Sequence, residues 1–89
     1  MDALQIIPCN PSVKMVQRIC QHLSADPVQV KLERFNDGEV AVQLLNNVRG
    51  DDVFVVGSTQ PPAENILEMI FAANAARYSS AKRVTLVIP

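Results

Sequence analysis

The fold is decided by residues 53–88, which read VFVVGSTQPPAENILEMIFAANAARYSSAKRVTLVI. The unbroken apolar run 53–56 is typical of a parallel strand that is covered on both faces. Residues 63–78 predict a helix with a broad apolar surface, which we expect to be deeply buried. Residues 83–88 then predict a second buried strand. A strand–helix–strand unit of this kind is parallel and right-handed, which indicates an α/β fold.

The residues before this unit predict a further strand and helix. Residues 3–7 form a short apolar run that ends at Pro8, which is typical of a buried strand. Asn10 and Ser12 are expected to cap the following helix, because their side chains accept hydrogen bonds from free backbone amides. The apolar positions of this amphipathic helix fall on one face, and they are Val13, Val16, Ile19, Cys20 and Leu23.

Residues 28–33 and 39–44 alternate between apolar and polar side chains, which predicts two half-buried strands. Residues 34–38 lie between them, and their Asn, Asp and Gly tolerate a positive φ, which predicts a hairpin turn. The two strands should therefore pair in antiparallel fashion. The predicted architecture is a mostly parallel sheet with a β-hairpin and flanking helices.

Composition excludes several classes of protein. The chain has 89 residues and a net charge of −1, so it lacks the basic field that nucleic-acid binding requires. It has no apolar run long enough to span a membrane, and its first residues do not resemble a signal peptide. Cys9 and Cys20 are expected to be free, buried thiols of a cytosolic protein. With His22 as the single histidine, and expected in solvent, no metal cluster is visible.

The predicted turn carries the most unusual side chains. Phe35 stands beside Asp37 and Glu39, and an aromatic ring next to carboxylates could stack on a purine and accept hydrogen bonds from its amine and ribose. An ordinary hairpin turn explains the same residues. Two further loops could likewise have either a ligand-binding role or an ordinary structural role. Residues 57–59 could hold an anion or cap a helix, and Arg49 could bind phosphate or be solvated.

Four ordered segments resemble the ribose-phosphate diphosphokinase (phosphoribosyl pyrophosphate synthase) family. Residues 34–40 are similar to its Arg-Phe-Ser-Asp-Gly-Glu turn, and 47–56 to its Asn-Val-Arg-Gly-x-Asp segment and strand. Residues 58–69 resemble its Ser-Thr and helix start, and 80–89 its Ser-Ala-x-Arg strand. The resemblance covers essentially the whole chain, with departures at Pro8–Cys9, at Asn36 and in the order of Glu68 and Met69.

The resemblance implies a fold of two phosphoribosyltransferase-like halves, with residues 1–89 forming the N-terminal part of the first, an incomplete domain. It implies an enzyme that transfers the diphosphoryl group of ATP to ribose 5-phosphate with Mg²⁺. It also implies a cytoplasmic homo-oligomer, built as dimers within a hexamer. The family's metal-binding and catalytic segments have no counterpart in this chain, so catalytic residues and metal ligands are expected to lie outside it and the 89 residues alone are expected to be inactive.

Carried over residue by residue, the resemblance places Phe35 against adenine and Asp37 and Glu39 at the adenine and ribose end of ATP, with Gly38 between them in the same ATP-binding turn. In the family this turn reaches into the site of a neighbouring subunit. Two other readings remain open. One is a non-catalytic regulatory or assembly homologue of the synthase, and the other is an unrelated α/β binding module.

The resemblance also implies a regulatory site. Asn47 and Arg49 correspond to a region of the family that binds an allosteric phosphate or ADP, and Ser80 lies near it.

Overall fold

The computed structural model describes residues 3–34 and 40–89, and the elements within them follow the predicted order. The strands and helices are β1 Leu4–Pro8, α1 Val13–Leu23, β2 Val30–Arg34, β3 Val40–Leu44, β4 Asp52–Val56, α2 Glu64–Tyr78 and β5 Arg83–Val87. The sequence patterns therefore predicted the type of each element and placed its bounds closely.

Strand β4 lies at the centre of a three-stranded parallel sheet, in the order β1-β4-β5. Ile6 of β1 and Thr85 of β5 are both register partners of Phe54. Strands β2 and β3 form a separate antiparallel pair, in which Leu32 is opposite Val42. The predicted α/β class, with a mostly parallel sheet and an antiparallel pair, is confirmed.

Successive side chains of the central strands point to opposite faces, and each face has its own core. Helix α2 covers one face, with a core that includes Ile7, Val53, Val55, Met69, Ala72 and Ala76. Helix α1 covers the other face at β1, with a core of Ile6, Val16, Cys20 and Val56. Both cysteines are free and buried, and His22 is exposed, as predicted.

Two predictions of burial were wrong. Helix α2 buries one side only: Ala72 and Ala76 are inaccessible, whereas Leu67 and Ile70 on its outer side are each 43% exposed. Strand β5 was expected in the interior, but Leu86 is 46% exposed. The physical reason is position, because β5 is an edge of the sheet and the outer side of α2 faces away from every described strand.

Residues 35–39, which join β2 to β3, lie outside the described residues, so the hairpin turn stays a prediction. The antiparallel pairing on either side of them is confirmed. Neither helix of the described residues is long and apolar enough to cross a membrane.

Gly57 follows β4 and lies directly against Met69 of α2. A Cβ atom there would lie 2.8 Å from Met69 Sδ and 3.3 Å from Cys9 Cβ. We expect Gly57→Ala to lower the free energy of unfolding by about 1–3 kcal/mol, because overpacking forces these side chains apart. Urea denaturation measures the change. In a Met69→Ala background the added methyl group should cost less, and an equal cost in both backgrounds would contradict the contact.

Candidate functional site

The candidate nucleotide-binding residues Phe35, Asp37, Gly38 and Glu39 lie outside the described residues. The structure does fix the two ends of the segment that carries them. Arg34 and Val40 are register partners at the end of the β2–β3 pair. The segment therefore leaves and re-enters the structure at adjacent strand ends.

The candidate regulatory residues lie on two loops that meet at the amino ends of the parallel strands. The backbone amide of Gly50 donates a hydrogen bond of 2.9 Å to the carbonyl of Ser80. The amide of Lys82 donates one of the same length to the carbonyl of Asp51. The loop that carries Arg49 is therefore joined to the turn that carries Ser80, although the two are far apart in sequence.

The shape of the first loop is set by its own residues. The amide oxygen of Asn47 accepts a hydrogen bond of 3.0 Å from the backbone N–H of Arg49. Val48, between them, is fully buried and anchors the loop, while Arg49 itself is exposed. Gly50 and Ser80 both have a positive φ, 76° and 64°. A fixed backbone thus presents a guanidinium and a hydroxyl on neighbouring loops, an arrangement that suits an anion.

The two carboxylates of this edge make contacts within the sheet. Asp51 accepts hydrogen bonds from the backbone amide of Ala3, at 3.2 Å, and from Gln5 Nε2, at 3.0 Å. Asp52 Oδ1 lies 3.8 Å from Arg83 Nε, an ion pair beyond hydrogen-bond distance. These contacts tie the first residues of the three strands to one another.

At the opposite edge, the predicted capping of α1 is wrong, because its first turn has no side-chain cap. Asn10 instead donates its backbone N–H to Glu68 Oε2, at 2.6 Å, and its side-chain amide to Glu68 Oε1, at 3.2 Å. The carboxylate accepts from both donors of Asn10, and hydrogen bonds to a charged acceptor are roughly twice as strong as those between neutral groups. The turn before α1 is therefore fastened to α2 rather than to its own helix.

Glu68 is 7% exposed, and its carboxylate also contacts Cys9. Burial raises the pKa of the Cys9 thiol to about 12, and the charge of Glu68 and its hydrogen bond to the thiol act in the same direction. A thiol with so high a pKa is not a nucleophile near neutral pH. Cys9, Asn10 and Glu68 line a mainly apolar pocket of about 230 Å³. Leu32 and Val42 of the β2–β3 pair line the same pocket.

The structure tests one of the two interpretations of residues 57–59. Ser58 Oγ accepts a hydrogen bond of 3.0 Å from the amide of Gln60. Helix α2 begins only at Glu64 and has no side-chain cap, so the capping prediction is wrong. The binding of an anion at these residues stays a prediction.

The whole chain except its first three residues matches the model of the N-terminal domain of ribose phosphate pyrophosphokinase, over residues 4–89. The chain belongs to this family. The recognition made from the four sequence segments is therefore confirmed.

The relatives that this chain matches are longer than it is. It is 39% identical over 89 residues to the ribose-phosphate pyrophosphokinase of Neisseria meningitidis, covering 99% of this chain and 27% of the relative. It is 47% identical over 87 residues to the chloroplastic ribose-phosphate pyrophosphokinase 5 of Arabidopsis thaliana, covering 97% and 22%. The chain thus spans about a quarter of the length of these relatives.

A solved structure shows the same fold. The crystal structure of phosphoribosylpyrophosphate synthetase from Mycobacterium smegmatis superimposes with a TM-score of 0.90 at 25% sequence identity. The match covers 99% of this chain and 30% of that one. The backbone described above is therefore that of the family's N-terminal segment.

Sequence reasoning did not single out Glu68 as a buried anchor. In the sequence, Glu68 was noted only as part of the helix-start motif that resembles the family. A signal was present, because Glu68, Ala72 and Ala76 are spaced by four and fall on one helical face. A carboxylate on a helical face whose other side chains are small and apolar indicates a buried, hydrogen-bonded group.

We expect Glu68→Gln to lower the free energy of unfolding by about 1–3 kcal/mol. The substitution places an NH₂ donor against the two donors of Asn10, and a buried donor without an acceptor is costly. Urea denaturation measures it. Glu33→Gln is the matched control: its ion pair with Lys31 is on the surface, where solvent screens it, and its loss should change stability much less than the loss of the Glu68 contact. Equal losses in the two variants would contradict the anchor.

Proposed function

We propose that this chain serves as the N-terminal segment of a ribose-phosphate pyrophosphokinase. The proposed reaction transfers the diphosphoryl group of ATP to the C1 hydroxyl of ribose 5-phosphate and releases AMP. The observation that supports it is the match of residues 4–89 to the family's N-terminal domain, together with the superposition at a TM-score of 0.90.

In this proposal the chain contributes a nucleotide contact. Phe35 stacks on the adenine ring, while Asp37, Gly38 and Glu39 contact the amine and ribose through carboxylate and backbone groups. Residues 35–39 connect the adjacent ends of β2 and β3, and α2 packs against β3. A strand pair braced by a helix gives the segment a firm base, which suits contact with ATP in the site of a neighbouring subunit of a homo-oligomer.

The family also implies Mg²⁺, which would neutralise phosphate charge during the transfer. Within residues 3–34 and 40–89, no three His, Cys, Asp or Glu side chains converge on a position that could hold a metal ion. The described residues do not fit a magnesium site, and the proposal assigns the metal ligands and the catalytic groups to residues outside this chain.

A chimera tests the function. We would replace the matching segment of the Neisseria meningitidis enzyme with residues 1–89 and measure formation of phosphoribosyl pyrophosphate and AMP. The chimera should be active, and the 89-residue chain alone should be inactive. A folded but inactive chimera would contradict the proposal and favour a non-catalytic homologue.

Within the active chimera, Phe35→Ala should weaken ATP binding about tenfold, since stacking on one base is worth roughly 1–3 kcal/mol. Isothermal titration with a non-hydrolysable ATP analogue measures this. Tyr78→Ala removes a different aromatic ring, 90% accessible, at the last residue of α2, and it should leave the affinity unchanged. Unchanged affinity in Phe35→Ala would rule out stacking.

We further propose that Asn47, Arg49 and Ser80 form part of a regulatory site for phosphate or ADP. The support is the junction of their two loops through Gly50 and Ser80 and the exposed guanidinium of Arg49.

In the chimera, Arg49→Ala should weaken inhibition by ADP at least fivefold while the KM for ribose 5-phosphate stays unchanged. A lysine cannot reproduce bidentate binding of phosphate, so Arg49→Lys should restore only part of the effect. Arg18→Ala, on the exposed side of α1, is the control. Wild-type inhibition in Arg49→Ala would remove this residue from the site.

A further inference from the structure

The loop that carries Arg49 contains a tight turn. The amide of Asp51 donates a hydrogen bond of 3.0 Å to the carbonyl of Val48, which closes a turn of four residues with Arg49 in the second position. Gly50 in the third position has a φ of 76°, which is close to the value that a type II turn requires there. The direction of Arg49 is therefore set by how the two ends of the turn, Val48 and Asp51, are held.

The two ends of this turn are held by different means. Val48 is fully buried in the core that α2 covers. The middle of the turn lacks such packing, because a Cβ atom at Gly50 would have no described atom within 4 Å outside its two chain neighbours. Asp51, at the other end, is only half-buried. Hydrogen bonds, rather than packing, must therefore fix that end.

Asp51 forms these hydrogen bonds on both of its sides. Its carbonyl accepts from the amide of Lys82, at 2.9 Å, in the segment that leads from the Ser80 turn into β5. Its carboxylate accepts from the backbone amide of Ala3, at 3.2 Å, and from Gln5 Nε2, at 3.0 Å. The main chain of Asp51 is thus tied to the Ser80 turn, and its side chain is tied to the start of β1.

We propose that Asp51 is a positioning residue of the regulatory site. Its carboxylate holds the end of the turn against β1 and thereby directs Arg49 toward the same anion as Ser80. This inference rests on the regulatory role proposed above for Arg49 and Ser80. The reason is geometric: glycine rotates more freely than other residues, so the turn keeps one direction only while the residues on both sides of Gly50 are fixed.

The negative charge of Asp51 offers a competing explanation. A carboxylate two residues from Arg49 could repel phosphate and so weaken its binding. In the structure, however, both carboxylate oxygens accept hydrogen bonds from β1 and the residue before it, and β1 lies on the opposite side of β4 from β5. The two explanations make opposite predictions. Removing a repelling charge strengthens the binding of ADP, whereas removing a positioning contact weakens it.

Inhibition by ADP separates these explanations. In the chimera that carries residues 1–89, Asp51→Ala should weaken inhibition about threefold, the effect of losing hydrogen bonds of ordinary strength. The KM for ribose 5-phosphate should change little. Asp26→Ala is the control, because it removes an exposed carboxylate between α1 and β2 and should leave inhibition unchanged. Stronger inhibition in Asp51→Ala would overturn the positioning role in favour of repulsion.

A conservative variant tests whether the hydrogen bonds carry the effect. In Asp51→Asn the side-chain oxygen can still accept from the amide of Ala3, and its NH₂ can donate to Gln5 once the Gln5 amide turns over. This variant should therefore keep nearly wild-type inhibition. A loss as large as that of Asp51→Ala would contradict the proposal.

A double variant tests whether Gln5 is the partner through which Asp51 acts. Gln5→Ala should weaken inhibition by ADP less than Asp51→Ala does, because the bond to Ala3 remains. The double variant should be no weaker than Asp51→Ala alone, since both substitutions break the same contact. Fully additive effects would contradict a shared contact.

Hydrogen exchange tests the position of the turn without ADP. In the folded chimera, Asp51→Ala should speed exchange of the amides of residues 48–51 roughly tenfold, because one end of the turn is no longer held. Exchange within α1 should not change, and Asp51→Asn should remain near wild type. Wild-type exchange in Asp51→Ala would overturn the proposal.

Arg49→Ala in the same chimera distinguishes failure of this inference from failure of the regulatory site. If Arg49→Ala weakens inhibition by ADP and Asp51→Ala does not, the positioning role is wrong and the regulatory site stands. If neither variant changes inhibition, the regulatory site is wrong, and the role of Asp51 in it is overturned as well.

Discussion

Strand β4 is hydrogen-bonded along both edges, covered by α2 on one face and partly covered by α1 on the other, and this constraint places most of the other elements. Val53 and Val55 are fully inaccessible on the side of α2, and Val56 is 3% exposed on the side of α1. A parallel strand with no polar face must have a strand on each side and a layer above and below. Strands β1 and β5 are the neighbours on each side, and helices α2 and α1 form the layers above and below the sheet.

This arrangement brings loops together at two ends of the sheet, and the two ends are fastened by different means. At the amino ends, backbone hydrogen bonds join the loop of Gly50 to the turn of Ser80. At the carboxyl ends, the buried carboxylate of Glu68 holds Asn10 across 58 positions of sequence. The backbone hydrogen bonds at the amino ends leave the side chain of Arg49 exposed. At the carboxyl ends, the polar groups of Glu68 and Asn10 are hydrogen-bonded to each other. The proposed regulatory site therefore lies at the end with the exposed guanidinium, whereas the contact of Glu68 with Asn10 supports the fold.

Local patterns predicted the elements well because their signals are local. Alternation with period two marked β2 and β3, and the unbroken apolar run marked β4. The positions of side chains relative to distant residues were less accessible. Capping rules made Asn10 a helix cap, but its backbone and side-chain N–H groups donate to a charged acceptor on α2 instead. No window around residue 10 contains that acceptor.

Burial was mispredicted for a related reason. Hydrophobicity shows that Ile70 and Leu86 gain from being covered, but not whether the same chain supplies the cover. The residues of the candidate site were also not predictable from local sequence patterns alone. The closeness of Arg49 and Ser80 depends on a hydrogen bond between residues thirty positions apart, so it came from the family resemblance and not from spacing. The nucleotide contact of Phe35 rests on that resemblance alone.

The exposed apolar groups link stability to association. Besides the edge of β5 and the outer side of α2, a wholly apolar groove runs between α1 and the half of the sheet that α1 leaves open. It is lined by Leu4, Ile6, Ile19, Leu23, Phe54, Val56 and Val87. Fully burying one such side chain is worth roughly 1.5–3 kcal/mol, a large part of the stability of a small domain. A partner that covers these surfaces binds the folded chain and not the unfolded one, so it stabilises the fold by mass action. Binding of any such partner would therefore shift the folding equilibrium of this chain toward the folded state.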